Sequence, residues 1–404
     1  MGYIQRGTHQ FRMVNIALFA GGFNTFAILW GTQPLLPEIS KEFHISPAAS
    51  SLSLSSTTIA LAISMLIAGS LSEVFGRKPV MTFALVSSSI LSILTAFSPN
   101  FHLLLLCRIL QGVTLAGLPA VAMAYLGEEI EPKSLGMAMG LYISGNSVGG
   151  MSGRIISGIL TDHFGWRIAL EGIGVISLVA SVAFWYILPK STHFKPQTFA
   201  IKPLVTGLFS QFRQPGLIYI FMTGFLLMGS FVSLYNYIGF ELIAPPYSLS
   251  QTLVGFIFIV YTVGTFSSTW MGMLADQYGK KKLIQVSLVI LLVGACFTLE
   301  TSLWVKIIGI AVFTFGFFAG HSIASSWVGQ LAKQNKAQAS GLYLFFYYLG
   351  SSIGGTVSGL FYSSFGWFGV ITMIVAFTAI SIILSTRLGT SSVTKVNYSP
   401  KEVH

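Results

Sequence analysis

Long apolar runs, separated by short breaks of charged, proline or glycine residues, fill almost the whole chain. Read between those breaks, the pattern predicts twelve helices over 13–36, 50–72, 79–97, 102–126, 134–160, 167–189, 216–240, 252–275, 283–300, 303–331, 338–361 and 366–387. Each is near the length of about 20 residues that crosses a hydrocarbon core. The longest break, PKSTHFKPQTFAIKPLV from Pro189, carries prolines and lysines and no hydrophobic period. It reads as a linker. The expected organisation is therefore a six-helix bundle over 1–189, a cytoplasmic linker over 190–215, a second bundle over 216–387 and a cytoplasmic tail over 388–404.

The two bundles repeat each other. GSLSEVFGRK at 69–78 matches GMLADQYGKK at 272–281, AMGLYISGNSVGGMSGRIISGIL at 138–160 matches ASGLYLFFYYLGSSIGGTVSGLF at 339–361, and FGW at 164–166 returns at 365–367. Three matches in one order at an offset of about 200 residues mark a duplication.

Composition agrees with a membrane. Of 404 residues, 53% are hydrophobic and 8% charged, with a mean hydropathy of +0.76. Soluble proteins carry about 25% charged residues. The net charge of +10 raises nucleic acid as a partner, but the cations are not gathered into a patch. Seventeen of the 22 lysines and arginines fall on one side of the predicted topology, only Lys41, Arg167 and Lys306 on the other, and Arg108 and Arg154 inside spans. This asymmetry predicts a multi-pass protein of the cell (cytoplasmic or inner) membrane with both termini cytoplasmic, and it favours contact with anionic lipid. The polar N-terminal stretch runs into the first span with no small-residue cleavage site, so that helix is expected to be retained. Cys107 and Cys296 lie apart within apolar runs and read as packing residues, with no disulfide or metal-ligand spacing.

Several motifs carry more. The loop after the second span reads Gly69-x-Leu71-x-Glu73-x-x-Gly76-Arg77-Lys78, and its copy has Gly272, Leu274, Asp276, Gly279, Lys280 and Lys281. An early glycine permits close helix approach, a later one a tight turn, and the acidic and basic residues can pair at the helix ends. The fourth span holds Leu106-Cys107-Arg108-Ile109-Leu110-Gln111-Gly112. The fifth carries Gly140, Gly149, Gly153 and Gly158 on a small-residue face suited to close packing. The first ends on Thr32-Gln33-Pro34-Leu35-Leu36-Pro37.

These motifs resemble the major facilitator superfamily, and most of all its bacterial drug:proton antiporter branch, including arabinose efflux permease-like members. The resemblance spans nearly the whole chain. It implies an all-α membrane protein of twelve transmembrane helices in two pseudo-symmetric six-helix bundles, with the substrate between them near the bilayer midplane. It also implies that the repeated loop (Gly69, Glu73, Gly76, Arg77, Lys78; Gly272, Asp276, Gly279, Lys280) is a conformational gate, and that Arg108 serves proton coupling. The sequence departs from the pattern at Glu73, usually aspartate, at Arg154, where a proline is expected, and at Ser157, where a glycine is.

An arginine within an apolar span usually faces a cavity or a partner; for Arg108 the alternative is snorkelling towards the surface. The acidic residues lie in loops or tails apart from Glu171, Glu241 and Glu300 at span ends, so no carboxylate is expected deep in the membrane. Proton coupling or substrate charge falls to Arg108, Arg154, Glu171 and His321, although Glu171 stands four residues after Arg167 and could simply pair with it. Asn24, Gln33, Asn146, Tyr235, Asn236, Tyr237, Tyr343 and Tyr347 are candidates to line a mixed aromatic and polar cavity.

Two transport readings stay open: proton-coupled efflux of small organic compounds by alternating access, and import or export of an organic anion held by Arg108 and Arg154. A non-transporting sensor or scaffold is the third. No phosphate loop, metal cluster or catalytic constellation is present in the sequence, so the expectation is a monomeric transporter of a small-molecule substrate, with protons and lipids as partners and without enzyme activity, cofactor, metal or nucleic acid.

Overall fold

The structure, a computed structural model, describes residues 2–194, 196 and 201–388, excepting the side chains of 201–204. All but the first residue of the predicted tail lies outside the described residues. Helices fill the N-terminal half in order: α1 (His9–Gly31), running through a 3-10 turn (Gln33–Leu35) into α2 (Leu36–Glu42), then α3 (Pro47–Phe75), α4 (Arg77–Ala96), α5 (Phe101–Leu115) and α6 (Pro119–Glu129) as one broken pass, α7 (Pro132–Phe164) and α8 (Trp166–Ile187). After α9 (Ile201–Gln211) come α10 (Leu217–Ile243), α11 (Gln251–Ile257) with a 3-10 turn (Phe258–Val260) and α12 (Tyr261–Tyr278), α13 (Lys280–Phe297), α14 (Leu303–Leu331) and α15 (Lys336–Thr386), which holds the last two passes bent at Gly366.

Nine described stretches are long and apolar enough to cross a membrane. Two further passes complete the first bundle and the second: α7, diluted by glycine and serine, and α13, which opens on three lysines. Counting α15 twice gives six passes on each side of α9, the two-bundle fold.

The helix starts follow local chemistry. The side chains of Thr8, Ser46, Asn100 and Ser250 accept from backbone N–H groups three residues on, satisfying donors a helix N-terminus leaves free. The stops repeat with the sequence: Gly76 and Gly279 share φ near +95°, and Gly165 and Gly366 also have positive φ, a region open chiefly to glycine. The turn role read for Gly76 and Gly279 is thus visible in the backbone.

Bundle packing repeats too. Gly145, Gly149 and Gly153 of α7 press on the backbone of Phe19, Phe23 and Ala27 of α1, as Gly350 and Gly354 of α15 press on Phe225 and Gly229 of α10. Lipid supplies little hydrophobic drive between helices, so such backbone approach is a main source of association.

Four expectations need correction. Gly69 and Gly140 face open space, and Gly272 meets only Ser322 Oγ, 3.8 Å from where a Cβ would lie. These three glycines mediate no close approach in this conformation. Cys296 is exposed rather than packed. The stretch read as a linker without a hydrophobic period contains a helix: α9 occupies 201–211, with Leu208 against the main core and Gln211 fully buried.

Candidate functional site

The bundles meet most closely at the end remote from the two motif loops. There Gly158 of α7 faces Gln251 and Gly255 of α11, and Gly359 of α15 faces Ala48 of α3, so each bundle offers the same glycine to the other. Hydrogen bonds cross the seam from Gln251 Nε2 to Glu38 Oε1 at 3.3 Å and between Thr356 Oγ1 and Ser55 Oγ at 3.0 Å.

Deeper along the seam lies Arg154. Its Nε donates to Gln33 Oε1 (2.8 Å) and its Nη1 to the Gly150 carbonyl (2.6 Å), while Gln33 Nε2 donates onward to Asn236 Oδ1 of the other bundle (2.7 Å). All three side chains are about 1% exposed. The rings of Trp30, Phe258 and Tyr261 stand 4.8–4.9 Å from the guanidinium carbon. Such faces attract a cation but cannot neutralise it. Among the described residues no carboxylate pairs with Arg154, and its Nη2 makes no hydrogen bond. Asn236 Nδ2 and Tyr261 Oη are also buried without partners.

Aromatic rings lead from Arg154 into the second bundle. Tyr261 touches Tyr235 (5.3 Å between centroids), Tyr235 touches Phe231 (4.7 Å), and Phe231 stacks on Phe317 at 3.8 Å. Phe317 then stacks on His321, whose ring lies 4.5 Å from that of Tyr347. His321 Nδ1 is 2.9 Å from Tyr343 Oη. Seven sequence candidates thus share one connected region: Arg154, Gln33, Asn236, Tyr235, Tyr343, Tyr347 and His321.

The other candidates stand apart. Arg108 is 1% exposed, which removes the snorkelling alternative. Its Nε donates to the Ser53 carbonyl (2.9 Å), Nη1 to Ile28 O (3.4 Å) and Gln111 Oε1 (2.6 Å), and Nη2 to Leu29 O (3.1 Å). The Ile28 and Leu29 carbonyls belong to the last turn of α1, where acceptors lack intrahelical partners, so Arg108 caps that helix from α5. Asn24 ties α1 to α8 through Ser177 and Ser181. Tyr237 donates to the Gly355 carbonyl, and Asn146 faces Gly22 of α1. Glu171 is half-buried and has no ion pair among the described residues; Arg167 bridges instead to Glu42 at 3.2 Å and to the Ala96 and Ser98 carbonyls.

At the motif loops Arg77 holds Glu128 of α6 through two hydrogen bonds (2.6 and 3.2 Å) and also donates to Ser72. Among the described residues Glu73 has no ion pair, and in the first loop the acidic partner of Arg77 comes from outside the motif. The copy does pair internally, Lys280 with Asp276 at 3.3 Å, and Lys280 also reaches Ser326. Trp30, Phe258, Tyr261, Phe231 and Phe317 are the site residues that polar-residue reasoning misses. In an apolar span nothing distinguishes a cavity ring from a lipid-facing one; the one available signal is Trp30, next to the Gly31-to-Pro34 break.

Residues 18–244 and 221–402 match the model of a family described as Major Facilitator Superfamily. The uncharacterized MFS-type transporter YybF of Bacillus subtilis (strain 168) is 54% identical over 391 residues, covering 97% of each chain. Inner membrane transport protein YnfM of Escherichia coli (strain K12) is 48% identical over 386 residues, 96% of this chain and 93% of that one. The fold is similar to that of a bacterial homologue of the human lysosomal transporter Spinster in an inward-facing, unoccupied conformation, with a TM-score of 0.80 at 15% identity over 95% of this chain and 98% of that one.

Proposed function

This chain belongs to the major facilitator superfamily of multi-pass membrane transporters, and from that premise we propose that it carries a small organic anion by alternating access around Arg154. The observation that supports this reading is a buried guanidinium at the seam with one N–H side free and no carboxylate beside it. Burying an unpaired charge is costly, about 2.5–3.5 kcal/mol or more for an arginine within a membrane span. A solute carboxylate supplies the missing counter-charge, and the rings of Tyr261, Tyr235 and Tyr347 offer faces to an aromatic or otherwise apolar body.

In this reading the bundles are 1–189 and 216–387, joined by 190–215. The lysine and arginine asymmetry puts the motif loops and termini in the cytoplasm, so the closed seam is the outer gate. The pairs Arg77–Glu128 and Lys280–Asp276 hold each motif loop within its own bundle in this state; in the alternative, outward-open state the two loops come together as the inner gate. Arg108 is a fixed part of the scaffold, and the chain works as a monomer.

A second reading, proton-driven efflux of small organic compounds from the cell, is favoured by the His321 Nδ1 to Tyr343 Oη contact. That contact supports a proton-relay role for His321 in this second reading. Proteoliposomes with an imposed pH gradient separate the two. Uptake of carboxylates that fails for their amides, and is lost in Arg154→Gln, supports the anion carrier. Proton flux evoked by neutral or cationic compounds and lost in His321→Asn supports the second. No solute movement in either arm contradicts both.

A further inference from the structure

Away from the seam, at the motif-loop end of the first bundle, α4 and the segment after α8 enclose a cavity of about 810 Å³. Lys78 and Lys190 line it together with the apolar Phe83 and Trp185. Among the described residues no lining residue is acidic. Arg77 also borders it, but its donors are committed to Glu128 and Ser72. Lys78 spends one donor on the Leu188 carbonyl at 2.5 Å, and Lys190 lines the same cavity.

Two cations lining one cavity with no acidic neighbour among the described residues call for an anion with several acceptor oxygens. On the same lining Phe83 and Trp185 are 68% and 53% exposed in a protein whose outer faces meet lipid, so the body attached to that anion is a hydrocarbon chain. We propose that this cavity binds the phosphate headgroup of one anionic phospholipid, with an acyl chain along Phe83 and Trp185. The lipid then joins α4, which opens on the first motif loop, to the end of α8. Neither the solute nor Arg154 enters this inference.

The test uses the full-length protein in a nonionic detergent, with native mass spectrometry counting adducts of phosphatidylglycerol and phosphatidylcholine. One phosphatidylglycerol retained in preference to phosphatidylcholine is expected. Each lysine facing an anionic headgroup is worth about a fivefold change, so Lys190→Gln should weaken retention by about fivefold. The Lys78→Gln/Lys190→Gln variant should weaken it by about 25-fold. Lys281→Gln, removing the ammonium that bonds the Thr386 carbonyl in the second bundle, should leave it unchanged. Lys190 is exposed, so its single variant remains informative even if altering Lys78 impairs folding. Unaltered retention in Lys190→Gln, equal binding of both lipids, or displacement of phosphatidylglycerol by inorganic phosphate alone would overturn the proposal.

Discussion

Arg108 and Arg154 are both buried arginines of the first bundle, yet their surroundings assign them different work. Every hydrogen-bonding nitrogen of Arg108 is engaged by carbonyls of α1 and α3 or by Gln111. Arg108→Gln should therefore cost stability, each orphaned carbonyl about 1–3 kcal/mol, seen as a lower thermal midpoint. Solute affinity in the folded fraction should change little; a selective loss of binding at unchanged stability would contradict this assignment. Outside the membrane, Glu131 shows a smaller effect. Hydrogen bonds from Ser134 and then from the Arg6 backbone hold its carboxyl below the usual carboxylate range. A depressed folded-state value means that this tie stabilises at neutral pH and is lost as pH falls through that value. Ser134→Ala should raise the Glu131 titration midpoint seen by NMR, and an unmoved midpoint would refute the attribution. The sequence identifies which residues are anomalous in an apolar span but not which face they occupy. Asn24 and Tyr237 are for that reason indistinguishable from Gln33 and Asn236 until the helices are placed.

Among the helices, the contacts of α7 with α1 and of α15 with α10 are built on glycine and recur with the duplication. Gly149→Leu and Gly350→Leu force side chains into the Phe23 and Phe225 backbones. Each should destabilise by about 1–3 kcal/mol, whereas Gly140→Leu, directed to open space, should be neutral in the same thermal assay. Equal effects at all three sites would show that the glycine contacts contribute nothing specific. The existence and order of the spans are legible because apolar runs and charged breaks report them directly. The interruption at Phe258–Val260 is not, since helix and 3-10 turn share the same apolar composition there, and at Gln33–Leu35 the proline marks a break without showing what it faces. Those interruptions border Arg154, which is why the site emerges only from the structure.

For the whole molecule, alternating access requires the seam between Ser55 and Thr356 to open. Their hydroxyls are 3.0 Å apart, near enough for a cysteine pair at these positions to form a disulfide. In a chain with Cys107 and Cys296 replaced by serine, oxidised Ser55→Cys/Thr356→Cys should lose transport and regain it on reduction. Full transport while crosslinked would mean that this seam does not move. The duplication is plain in the sequence, whereas the seam is not, because a repeat reports the likeness of two bundles and nothing of how they face each other.

The most direct measurement is binding of small carboxylates, from benzoate to citrate, each beside its amide, to purified wild-type protein and to Arg154→Gln by isothermal titration calorimetry. The anion-carrier account predicts that at least one carboxylate binds, that its amide binds at least tenfold more weakly, and that Arg154→Gln removes this difference while the protein stays folded. Carboxylate and amide binding alike, or a preference that survives in Arg154→Gln, would contradict it.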